Sequence, residues 1–180
     1  MKNISKADIT KIANNIKLLI LDVDGVLTDG SIILDNRGNE YKSFHVRDGH
    51  GIKMLLRAGI VVALITGRES EVVERRAREL GIKEVYQKCF NKVAVYCALA
   101  EKYSLSDKEV AYMGDDIVDV PVMKRVGMPV TVADADKNMR KYSLLITKNR
   151  GGRGAVREVT DLILTSKGLW ERIIDEYLEA

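Results

Sequence analysis

Five apolar runs of strand length recur along the chain, and longer amphipathic stretches separate them. The first, residues 17–21 (KLLIL), is continuous rather than alternating, as in a strand covered on both faces. Residues 59–65 (GIVVALI), 84–86, 110–113 and 128–132 supply four more. Between them, apolar residues recur three and four apart in 48–57, 69–80, 91–103, 116–126 and 137–142, with charges on the opposite side. That period predicts helices. The alternation predicts an α/β fold, a three-layer Rossmann-like arrangement around a parallel sheet of about five strands. A chain of 180 residues can bury one sizeable core, so residues 1–180 are read as a single domain.

Two segments depart from the alternation. Residues 30–46 (GSIILDNRGNEYKSFHV) read as two extended arms around the turn-rich centre 35–39. This predicts a β-hairpin flap that follows the first strand and overhangs the carboxyl end of the sheet. Residues 150–154 (RGGRG) read either as a flexible glycine-rich link to a final helical stretch reaching residue 180, or as glycines exposing backbone amides before that helix to meet an anion.

Composition narrows the functional classes. With 29 lysines and arginines against 26 acidic residues the net charge is only +3, which argues against nucleic acid or an anionic membrane as partner. No apolar run is long enough to span a bilayer, and the amphipathic N-terminus lacks the apolar core of a secretory signal. The two cysteines, Cys89 and Cys97, have no metal-ligand spacing and read as free thiols in a helix, packed in the core. The expectation is a cytoplasmic protein.

Ligands in open α/β sheets sit beyond the carboxyl ends of the strands, so the residues found there carry the chemistry. The first strand is followed by Asp22 and Asp24, the second by Thr66-Gly67-Arg68, and the fourth by Asp115, Asp116 and Asp119. Lys92 opens the helix after the third. Acids converging from two strands repel one another unless a cation neutralises them, and hard carboxylate oxygens suit Mg²⁺. A lysine and a threonine hydroxyl beside such a centre could hold phosphoryl oxygens, which points to phosphoryl transfer. Singly, each residue has a blander reading: a turn or cap for Asp22, Asp115 and Thr66, a solvated surface residue for Lys92, one helix face for Asp119. Their ordered recurrence at strand ends favours the site.

The same residues resemble the four motifs of the haloacid dehalogenase superfamily: DVDGVLTDG, ITGR, Lys92 in FNKVAVY, and MGDDIVD. The resemblance implies that Asp22 is the nucleophile and a metal ligand. It makes Asp24 the general acid and base, with its backbone carbonyl on the metal, and Asp115 a further ligand. Asp116 and Asp119 would ligate through water or orient the site, and Thr66 and Lys92 would bind the phosphoryl group. An aspartate at position 24 can protonate an alkoxide leaving group, which a phosphatase needs. Only the hairpin and one helix separate the first two motifs, so no cap domain is expected. A neighbouring subunit would then enclose the substrate.

Beyond the motifs, FHVRDGHGIKMLL and GGRGAVREVTDLIL are similar to the capless 3-deoxy-D-manno-octulosonate 8-phosphate phosphatases. That family implies a homotetramer assembled through the hairpins, a sugar phosphate substrate, and a role in lipopolysaccharide precursor synthesis. Arg68 takes the place where relatives acting on nine-carbon sugar acids tend to carry glutamate, and it could pair with a substrate carboxylate. Arg47, Arg76 and Arg153 are further candidates for that pocket. The alternatives are a phosphatase of a nine-carbon 9-phosphate or other sugar phosphate, and a non-catalytic phosphate- or metal-binding scaffold. A signalling receiver domain is disfavoured, because there the acid pair comes first and threonine and lysine last.

Overall fold

A computed structural model describes residues 5–179. Helix α1 (Lys6–Asn15) opens on Ser5, whose hydroxyl accepts from the Asp8 amide and caps the first turn. Strand β1 (Leu18–Leu21) follows, every residue buried, as its continuous apolar run requires. The short strands β2 (Ile33–Leu34) and β3 (Glu40–Tyr41) pair antiparallel as the hairpin. Next come α2 (Val46–Arg57), β4 (Val61–Ile65), α3 (Glu71–Leu80), β5 (Glu84–Tyr86), α4 (Lys92–Lys102) and β6 (Val110–Gly114). The remaining elements are α5 (Val120–Met123), β7 (Met128–Thr131), β8 (Leu145–Ile146), α6 (Ala155–Ser166) and α7 (Trp170–Leu178).

Six strands form one parallel sheet in the order β5-β4-β1-β6-β7-β8. Helices flank it: α6 packs on both α1 and α2, and α4 packs on α5. The α/β expectation holds, and no cap domain intervenes between β1 and β4, where only the hairpin and α2 lie. Because β1 has β4 on one side and β6 on the other, the strand order reverses at β1. A crevice opens at such a point, at the carboxyl ends of the strands. Leu21 lies between Leu64 and Met113 in register, so the loops after these three strands meet there.

Several elements differ from expectation. The sixth strand, β8, is only two residues long and gives no periodic signal. The predicted helix 116–126 is a 3₁₀ turn (Ile117–Asp119) followed by the four-residue α5, with Pro121 at its start. Asp119 ties its carboxylate back to the amides of Asp115 and Asp116, which tightens that turn. The predicted helix 137–142 reduces to one 3₁₀ turn at Arg140–Tyr142. The second hairpin arm yields to α2 at Val46, short of the predicted helix start at 48. Cys89 is buried in the loop before α4, whereas Cys97 is exposed on that helix, so core packing accounts for one thiol only.

The glycine-rich segment is a locked shelf rather than a flexible link. Gly151 and Gly152 are buried, the Gly152 amide donates to the Val26 carbonyl (2.9 Å), and the Gly151 amide donates to Asp134 (3.0 Å). Asp48, buried on α2, accepts from the amides of Gly154 (3.1 Å) and Arg157 (2.7 Å) and so caps α6. The last helix is seated by the Tyr177 hydroxyl, which contacts His50 Nε2 at 2.7 Å and accepts from Arg57 at 3.1 Å.

Candidate active site

Asp22 follows directly on β1, and its amide donates to the Met113 carbonyl at the end of β6 (3.0 Å). That bond holds the loop from Val23 to Asp29 over the crevice. Thr28 orders the loop from within: its hydroxyl accepts from the amides of Gly25 (3.4 Å) and Gly30 (3.2 Å). Gly25 adopts φ +91°, and a Cβ there would sit 2.1 Å from Asp115 Oδ2. Only glycine lets the backbone next to Asp24 run this close to the Asp115 carboxylate.

Carboxylate oxygens of Asp22, Asp115 and Asp119 all lie within 4.8 Å of one another. Lys92, at the start of α4, donates to Asp22 Oδ1 (2.9 Å) and Asp119 Oδ1 (2.6 Å). Asp119 also accepts from the Tyr112 hydroxyl (2.6 Å) and from the Asp115 and Asp116 amides, so both its oxygens are occupied by protein donors. Lys92 is therefore buried and paired, against the reading of a solvated lysine, and Asp119 is fully buried rather than one face of a helix. The sequence places Asp119 after the fourth strand, but a turn-forming stretch gives no sign of its burial.

Burial and crowding set the electrostatics. Desolvation, then the Asp119 charge, push Asp22 up to about 6, with Lys92 opposing. Burial and then Asp22 and Asp119 push Asp115 up to about 8. Burial works against the Lys92 charge, yet Asp22 and Asp119 together hold its ammonium above the ordinary lysine range. With all groups ionised, three carboxylates and one ammonium leave two negative charges, which one divalent cation would neutralise. The donors in this cluster are hard oxygens, which fits Mg²⁺.

The Asp24 side chain turns elsewhere. Its carboxylate is paired with Lys42 of the hairpin and lies 3.8 Å from Arg68 Nε. Of the expected metal set Asp22, Asp24 and Asp115, the structure thus gathers the carboxylates of Asp22 and Asp115 with Asp119, and the Asp24 carboxylate is not among them. Thr66 is buried just past β4, beside the end of β1, and its hydroxyl accepts from the Arg68 amide (3.4 Å).

The four arginines part company. Arg68 is exposed beside Asp24 and donates to Glu40 (2.9 Å). Arg76 pairs with Glu79 (2.8 Å) and stacks on Phe44, 5.7 Å from the ring centre, a scaffold contact between α3 and the hairpin's return arm. Arg47 and Arg153 line a separate cleft of about 430 Å³ with His45, Lys148 and Arg157, and none of Asp22, Asp24, Thr66 or Lys92 lines it. Sequence reasoning missed Lys42 and Glu40, whose partners lie in two other loops. The available signal was a lysine and a glutamate flanking Tyr41 in an arm that directly follows the first motif.

The haloacid dehalogenase-like hydrolase family matches residues 81–159. Over 162 residues the chain is 50% identical to 3-deoxy-D-manno-octulosonate 8-phosphate phosphatase of Escherichia coli K12, covering 90% of this chain and 86% of that protein. The chain belongs to this phosphatase family. The crystal structure of the family's Yersinia pestis member superposes with a TM-score of 0.90 at 47% identity, over 91% of this chain and 89% of that one. The Moraxella catarrhalis member, solved with magnesium, phosphate and KDO, superposes with a TM-score of 0.93 at 39% identity, over 96% of this chain and 99% of that one. Membership carries the α/β haloacid dehalogenase fold and a phosphatase's chemistry.

Proposed function

We propose that the chain is a Mg²⁺-dependent phosphatase that hydrolyses 3-deoxy-D-manno-octulosonate 8-phosphate to the free sugar acid and phosphate through an aspartyl-phosphate on Asp22. The observation that carries this is the convergence on one buried carboxylate. Asp22 lies at the point where the strand order reverses, bonded to Lys92 and crowded by Asp115. The relative solved with magnesium, phosphate and KDO supports both the metal and the substrate class.

In the first step an Asp22 oxygen attacks phosphorus, the bond to the sugar O8 breaks, and Asp24 gives its proton to that oxygen. Lys92 and Thr66 hold the phosphoryl oxygens as charge redistributes over them. In the second step Asp24, now a carboxylate, takes a proton from water; the water oxygen attacks phosphorus and Asp22 is released with inorganic phosphate. Mg²⁺ bound by Asp22, Asp115 and the Asp24 backbone carbonyl would screen the anionic nucleophile from the anionic ester. Asp119 positions Lys92 and the Asp115 amide, and Asp116 lies beside them.

The chain works as one catalytic domain, and the hairpin is its assembly surface. Ile32, Ile33, Leu34 and Tyr41 expose 49–61% of their surface, an apolar patch that a further copy of the chain would cover. A homotetramer built on it would close the site that no cap covers. Two free thiols and the absence of any helix, among the described residues, long and apolar enough to cross a membrane support a cytoplasmic enzyme. Lipopolysaccharide precursor synthesis is the process this substrate implies.

The test is phosphate release from a panel of sugar phosphates with and without Mg²⁺, with Asp22→Asn as the blank. Preference for the octulosonate ester, abolished in Asp22→Asn, is the expected result. Preference for a nine-carbon acid would overturn the substrate, and no Mg²⁺-dependent turnover at all would leave a non-catalytic scaffold.

A further inference from the structure

Lys42 stands just past β3, on the return arm of the hairpin, and its side chain is 1% exposed. A lysine this enclosed is costly unless its ammonium is paired. Here it is paired twice, with Asp24 and with Glu40, the latter at 3.5 Å. Glu40 in turn accepts from Arg68 at 2.9 Å, and Arg68 Nε lies 3.8 Å from the other Asp24 oxygen. The four charges close a ring that joins the hairpin, the loop after β1 and the loop after β4. The ring fixes the Asp24 carboxylate, which stands apart from the acid cluster.

We propose that Lys42 is a positioning residue for the reaction, holding the Asp24 carboxylate away from the acid cluster and on the side where the leaving oxygen departs. Asp24 has two orientations to choose between. Turned toward Asp22 and Asp115 it would add a further carboxylate to a crowded cluster; turned toward Lys42 it meets a cation. Lys42 thereby ties the hairpin to the acid step, with Glu40 holding the ammonium in place from the hairpin itself. Proton donation loses much of its value when the donor is displaced by even an ångström. The proposal rests on the phosphatase reading above.

The experiment compares kcat/KM for an alkyl ester, the octulosonate 8-phosphate, with that for an aryl ester, p-nitrophenyl phosphate. The aryl group departs as a stable phenolate and needs little help from an acid, and kcat/KM reports only the steps up to that departure. Lys42→Met is expected to lower the alkyl value about tenfold to a hundredfold and the aryl value less than about threefold. Lys42→Arg is expected to restore most of the alkyl value. Equal losses on both esters, or no loss on either, would overturn the proposal. Should Lys42→Met fail to fold, Lys42→Gln is read by the same ratio. The wild-type enzyme separates the two readings: if it turns over neither ester with Mg²⁺, the phosphatase reading itself has failed.

Discussion

Gly151 approaches Gly25 so closely that a Cβ on Gly151 would come within 1.7 Å of the Gly25 carbonyl oxygen. The glycine-rich shelf before α6 therefore packs directly on the loop that carries Asp22 and Asp24. Gly151→Ala must displace that loop or lift the shelf away. It is expected to cost about 1–3 kcal/mol of stability, the usual range for overpacking. It should also raise the Mg²⁺ concentration needed for half-maximal activity. Gly67→Ala is the control for stability, because nothing lies within 4 Å of the added carbon. Thermal melts of the two variants check the difference.

Removal of the metal should make stability fall as pH rises. Asp22 and Asp115, ordinarily near 3.8, are raised to about 6 and about 8, so the folded chain binds more protons than the unfolded chain between these values. A group raised in this way contributes stability that is present below the unfolded pKa and is lost as pH climbs through the folded one. In EDTA the melting temperature is expected to decline from about pH 4 to pH 8. Mg²⁺ reverses the loss, adding about 2.7 kcal/mol at a hundred times its Kd, and adds more at pH 8 than at pH 5. Asp115→Asn should flatten the decline in EDTA. Melts across pH with and without Mg²⁺ test both statements, and a metal-free protein that gains stability toward pH 8 would contradict them.

Asp48 joins α2 to the start of α6 through two hydrogen bonds, one buried and one partly buried, 106 and 109 residues apart in sequence. Asp48→Ala leaves the Gly154 and Arg157 amides without acceptors and is expected to cost about 1–3 kcal/mol. Because Gly154 continues the shelf beneath the catalytic loop, activity should fall along with stability. Asp48→Asn keeps one acceptor oxygen and should lose less of each. Urea unfolding and kcat, measured on the same samples, give the comparison.

What the sequence made legible, and what it hid, follows from the range of the interactions. Asp22, Asp24, Thr66 and Asp115 stand one to three residues past continuous apolar runs, so their place at the crevice could be read locally. Lys42 and Glu40 could not, because they matter only through loops brought to them by folding. The same holds for Asp48 and its distant amides. RGGRG misled because a flexible link and a tight backbone contact both call for glycine; only the neighbour at Gly25 distinguishes them. β8 and the shortened helix at α5 escaped because two residues cannot show a period, and because Pro121 and the Asp119 turn interrupt the helical pattern.

Arg68 holds the strongest position for reading the substrate's carboxylate, since its side chain is partly exposed beside Asp24 and is steadied by Glu40. A charge-assisted hydrogen bond is worth about 1.5–3 kcal/mol, so Arg68→Ala should lower kcat/KM for the sugar acid phosphate roughly tenfold to a hundredfold. A neutral sugar phosphate should lose much less. Equal losses for both would assign Arg68 to the charge ring alone, with no part in selecting the acid.

The hairpin offers the sharpest test of assembly. Leu34 is 61% and Ile33 is 49% exposed, on strands only two residues long that leave backbone and side chains open. Ile33→Lys with Leu34→Lys places two charges in the patch without touching the core, so the thermal stability of a folded subunit should change by less than about 0.5 kcal/mol per site. Association, by contrast, should be lost, because buried unpaired charges at an interface oppose it strongly. Sedimentation velocity is expected to show tetramers for the wild type and monomers for the variant. If the neighbouring subunit closes the site, the variant's KM for the sugar phosphate should rise while its folded structure, read by circular dichroism, stays intact. A variant that still sediments as a tetramer would move the assembly surface away from the hairpin.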